Sequence, residues 1–94
     1  MWHFFRGQRW SVQDSKGLDR LTLGLCEHDI RKIQVPIYKD TELALDTTIH
    51  ECLHASFPDI SEEAINESAS DIACLLYKLG WRLTKNKKAN SEVD

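Results

Sequence analysis

No stretch of the chain approaches the roughly 18 consecutive apolar residues that a membrane span requires. The opening Met1-Trp2-His3-Phe4-Phe5-Arg6-Gly7 carries too short an apolar run for a secretory signal. Cysteine is scarce: Cys26, Cys52 and Cys74 are odd in number, widely spaced and without a CxxC pair. That pattern excludes both a disulfide framework and a cysteine zinc ribbon, and it fits a reducing compartment. Basic charge is not in excess either, with 12 Lys and Arg against 15 Asp and Glu and a net charge of −3. Nothing therefore draws the chain generally towards nucleic acid. The single basic run, Lys85, Lys87 and Lys88, falls in a polar stretch where a solvated end is expected. These absences together predict a soluble cytoplasmic protein with no membrane and no nucleic-acid partner.

What remains is a 94-residue chain, 41% apolar and 29% charged, near the lower limit for one hydrophobic core. One domain over residues 1–83 is expected, followed by a mobile polar tail over 84–94. Strand formers dominate the first part, in Arg9-Trp10-Ser11-Val12 and Leu21-Thr22-Leu23-Gly24-Leu25, separated by the turn-like Asp14-Ser15-Lys16-Gly17. A third strand, Lys32 to Ile37, alternates apolar and polar residues, and Pro36 predicts that it lies at a sheet edge or ends there.

From Asp40 or Thr41 the apolar period changes to that of a helix, which runs to about Ser56, and Phe57-Pro58-Asp59 stops it. Ser61 followed by Glu62 and Glu63 opens a second helix with acidic residues at its positive end. Its apolar stripe reads Ile65, Ser68, Ile72, Leu75, Leu76 and Leu79, and Gly80 suits its C-terminal cap. The expected fold is α+β, with a small three-stranded sheet followed by two helices.

The first helix carries His50-Glu51-Cys52-Leu53-His54, an H-E-x-x-H pattern. Four residues make about one turn, so His50 and His54 project from one face and can chelate one zinc ion, Zn2+. Glu51 points about 100° round the axis, where it can act on a water at an open coordination position. A third ligand is available among Glu62, Glu63, Glu67 and Asp71 on the second helix. By spacing, Glu67 and Asp71 lie one turn apart and flank the apolar stripe, while Glu63 falls nearly opposite it.

The run Asn66-Glu67-Ser68-Ala69-Ser70-Asp71 resembles the N-E-x-x-S-D stretch of thermolysin-like gluzincin metallopeptidases. With the histidine motif, the resemblance covers His50 to about Ile72, about a quarter of the chain. It implies a zincin-like fold, Glu67 as third zinc ligand, and Asp71 orienting one ligand histidine. Only twelve residues separate His54 from Glu67, so the chain is similar to minimal gluzincins and to small phage- or prophage-type metallopeptidases. The activity implied is peptide-bond hydrolysis with Glu51 as general base, the substrate peptide lying along the edge strand Lys32–Ile37. The rival expectation is a non-catalytic zinc-stabilised module that docks on a partner protein, such as a phage-encoded host-interaction protein. His3 and His28 read as polar surface, Tyr38 as a residue closing a sheet edge, and Cys52 as a small core residue.

Overall fold

The computed structural model describes residues 1–19 and 22–84. Its strands are β1 (Trp2–Phe5), β2 (Gln8–Asp14), β3 (Leu25–Glu27) and β4 (Lys32–Val35). Two helices follow, α1 (Glu42–Ser56) and α2 (Glu62–Lys78). The expected tail lies outside the described residues from position 85 onward.

The sheet has four strands in the order β1-β2-β4-β3, not three. Sequence reading missed β1, whose Trp2 and Phe4 both face solvent and so give no half-buried alternation. What holds β1 is its antiparallel pairing with β2, from Trp2 opposite Ser11 to Phe5 opposite Gln8. Arg6 (φ 50°) and Gly7 (φ 80°) form the two-residue turn between them, with the left-handed backbone that matches strand twist. Of the expected strand over 21–25, the described residues Thr22, Leu23 and Gly24 lie outside the sheet and only Leu25 enters β3; position 21 lies outside the described residues.

β4 is an interior strand, parallel to β2 on one side and antiparallel to β3 on the other. It is therefore not the edge strand expected over Lys32–Ile37. Pro36 ends it instead, since a residue without an N–H cannot extend a ladder paired on both sides. The free edges belong to β1 and β3.

One face of the sheet is apolar. Trp10 and Val12 of β2 and Ile33 and Val35 of β4 point inward at period two, and they meet Ala55 of α1, with Phe5, Cys26, Ile37 and Cys52 packed around them. α1 begins at Thr41, whose Oγ1 accepts from the Ala44 N–H at 3.0 Å, and α2 at Ser61, whose Oγ accepts from the Ala64 N–H at 3.2 Å. Gly80 (φ 98°) closes α2: its N–H bonds to the Tyr77 carbonyl, and the Trp81 N–H to that of Leu76.

α2 packs on α1 through a stripe that shares Ile65 with the expected one and otherwise differs from it. Ile65, Ala69 and Ala73 are buried, whereas Ile72, Leu75 and Leu79 are exposed. Alanines let the two helices approach closely, so the small-residue face is the one that seats α2. The sidechain contact Ser70 Oγ to Asp46 at 2.8 Å ties the helices together.

Candidate metal centre

The H-E-x-x-H segment occupies the C-terminal half of α1, and its residues divide by direction around the helix. Ala44, Thr47, Glu51 and Ala55 form the buried face towards the sheet. His50 and His54 lie on the adjoining flank, with side chains 18% and 24% exposed. Their Nε2 atoms are 3.1 Å apart, the outcome that one helical turn between them dictates.

The third group at this point is Glu62, in the first turn of α2. Its Oε2 lies 3.2 Å from His50 Nε2 and its Oε1 lies 2.9 Å from His54 Nε2. His50, His54 and Glu62 together could hold a metal ion, and among the described residues they are the only His, Cys, Asp or Glu group so arranged. Tetrahedral zinc with bonds of about 2.0–2.1 Å places neighbouring donor atoms about 3.3 Å apart. The three observed separations are within a few tenths of an ångström of that, so a small outward movement admits the ion. Glu62 remains largely exposed, which leaves the outer side of the cluster open to solvent.

Glu67 and Asp71 are not brought to the histidines. Both are exposed on α2, and neither has a hydrogen bond or ion pair to His50 or His54 among the described residues. Helical geometry explains the difference. At about 100° per residue, Glu67 and Asp71 lie about 200° and 240° from Ile65, opposite the buried stripe, while Glu62 lies about 60° from it, within the stripe's arc. Glu62 stood among the acidic candidates, and the signal that separates it is the spacing Glu62, Ile65, Ala69, Ala73, legible only if alanines are counted as packing residues.

Glu51 is 7% exposed and accepts no hydrogen bond from any described residue. Burial raises its carboxyl above the ordinary range; His50 opposes the rise and the Glu62 carboxylate adds to it. A carboxyl raised by burial beside a cluster of metal-type donors is a candidate functional group. Its position is set by backbone. A Cβ at Gly24 would stand 2.8 Å from Thr47 Cγ2 and 3.0 Å from both Cγ and Oε2 of Glu51, so the segment entering β3 lies directly on the helix at this turn.

β3 is thus the free sheet edge beside Glu51. Cys26 on β3 has its thiol pushed up to about 12 by burial, then by the charges of Glu51, Cys52 and Glu27. Burial and Glu51 likewise raise the Cys52 thiol to about 11. Both are held as neutral thiols at physiological pH, and Cys52 packs against the core as its motif position implied. Tyr38 is exposed beyond the end of β4. No protein family, curated protein or solved structure matches the chain. The functional reading therefore rests on the site itself. No helix among the described residues is long and apolar enough to cross a membrane.

Proposed function

We propose that the chain is a minimal zinc-dependent metallopeptidase of the gluzincin pattern, with His50, His54 and Glu62 as ligands and Glu51 as general base. The observation that supports this most is Glu51, a largely buried residue whose carboxyl is raised by burial, beside a three-donor cluster whose outer side is open. A purely structural zinc site closes its coordination sphere with protein ligands, whereas a catalytic one leaves a position free. A bound zinc ion supplies Lewis acidity, which acidifies water and polarises a scissile carbonyl.

The side chains contribute the rest. The two imidazoles and the Glu62 carboxylate would hold the ion. Glu51 accepts a proton from the attacking water and passes it to the leaving amine; a carboxyl raised above its ordinary range is better matched to both transfers near neutral pH. The substrate lies in extended form along the free edge of β3, antiparallel to it, because that edge runs past Gly24 and Cys26 next to Glu51.

Glu51→Gln tests the reading. The variant retains about one zinc per chain by elemental analysis and loses hydrolysis of a peptide library by a few orders of magnitude, since the base is removed and the ligands are not. Zinc binding without hydrolysis by the wild-type chain, on any peptide, overturns the peptidase and leaves a zinc-stabilised docking module.

A further inference from the structure

Two hairpin turns and the C-terminal end of α1 line an open depression of about 330 Å³, one helical turn beyond Glu51. Arg6 enters its wall from the β1–β2 turn and Arg31 from the β3–β4 turn, with Gln8, Trp10, His28 and Ser56 between them. No acidic side chain lines it, in a chain where acidic residues outnumber basic ones by 15 to 12. Neither guanidinium has a carboxylate partner among the described residues.

Both arginines leave their turns from left-handed backbone, and Arg6 is also tied by its side chain. Arg6 (φ 50°) and Arg31 (φ 48°) both occupy left-handed backbone, where glycine or asparagine sits more easily. Arg6 Nη1 donates to the Ser56 carbonyl at 3.2 Å, and its guanidinium lies 5.3 Å from the Phe57 ring centre. That bond answers one of the carbonyls at the negative end of α1 and leaves the remaining N–H groups of Arg6 available. Arg31 makes no side-chain hydrogen bond among the described residues and is exposed. Trp10 is 1% exposed, and its indole N–H is the one buried side-chain donor among the described residues with no acceptor. A basin lined by two guanidiniums without carboxylate partners and by an imidazole offers donors to oxygen acceptors bearing negative charge.

Its place relative to Glu51 says what brings them. β3 passes Glu51 at Gly24 and Cys26, and His28 stands two residues further along, about 7 Å away. A peptide antiparallel to β3 brings the residues on the N-terminal side of its scissile bond to this point. From this we infer that the basin is a carboxylate subsite, and that the preferred substrate is a peptide carrying Asp or Glu two or three residues before the cleaved bond. The inference rests on the peptidase reading for its register, and on the basin alone for its chemistry.

The test uses the zinc-loaded full chain and capped hexapeptides that differ only in Glu or Gln at those positions. The wild type cleaves the Glu peptide with kcat/KM about tenfold or more above the Gln peptide, through a lower KM, as charge-assisted bidentate contacts require. Arg31→Asn, which suits left-handed backbone, brings the ratio close to one, and Arg31→Lys restores part of it. Equal cleavage of both peptides by the wild type overturns the subsite while leaving the peptidase intact, and it needs no variant to fold. A preference that appears only when the carboxylate is a free C-terminus, or lies after the cleaved bond, also overturns it. If no peptide is cleaved, the same pair is titrated by fluorescence anisotropy. A Glu preference in Kd that Arg31→Asn removes supports the subsite against a failed peptidase reading, and equal Kd values overturn both.

Discussion

Replacing Gly24 by alanine probes the contact that places Glu51 without touching any metal ligand. The new methyl carbon would stand 2.8 Å from Thr47 Cγ2 and 3.0 Å from Glu51 Cγ and Oε2, against about 3.5–4.0 Å for relaxed carbon contacts. Thr47 is fixed by its own hydrogen bond, Oγ1 to the Leu43 carbonyl at 2.9 Å, so the strain is relieved by moving the β3 entry or turning Glu51 aside. Overpacking of this kind costs about 1–3 kcal/mol, and reduced freedom of the unfolded chain offsets about 0.4–1 kcal/mol of that. The net loss corresponds to a fall in Tm of about 4–8 °C per kcal/mol for a domain of this size. Displacing a proton-transfer group by about 1 Å lowers turnover by about two orders of magnitude. The assay is paired: calorimetry and peptide hydrolysis should both fall, while zinc content stays near one per chain because His50, His54 and Glu62 are not among the atoms met. Wild-type melting with wild-type turnover would refute the close approach, and loss of zinc would show that Gly24 bears on the ligands instead.

Glu62→Ala should reduce zinc affinity by at least about 10–100-fold and remove the Tm drop that chelator produces in the wild type, whereas Glu67→Ala should change neither, as measured by competitive zinc titration and thermal melts. The opposite ranking would return the third ligand to Glu67. In the metal-free chain, Glu51→Gln should raise Tm at neutral pH, because burial disfavours the ionised carboxylate in the folded state. Since the folded carboxyl is raised above its unfolded value, its ionisation reduces stability as pH rises through that folded value. The gain should therefore shrink towards acid pH, where the wild-type group is protonated in both states; a gain that grows as pH falls would contradict the burial of Glu51.

The helices and their caps were legible in the chain because their determinants are local. Thr41, Ser61 and Gly80 each satisfy a helix terminus through a neighbour three to five residues away, and the pairing of His50 with His54 follows from one helical turn. Partner choice between distant segments was not legible. Glu62 and Glu67 are both acidic residues on one helix, and which meets the histidines depends on the face α2 turns to α1, decided by close packing at Ala69 and Ala73. The exposed Ile72, Leu75 and Leu79 carry the stronger apolar signal and drew the expected stripe away from it. Strand order has the same origin. The alternation in β4 showed that one of its faces is buried but said nothing about its neighbours, and β4 became an interior strand only through long-range pairing with both β2 and β3. The residue chemistry of the site was thus written in the sequence, while the carboxylate that meets the two histidines and the strand edge beside Glu51 depend on how separate elements pack, where the energies are those of burial and pairing between residues far apart in the chain.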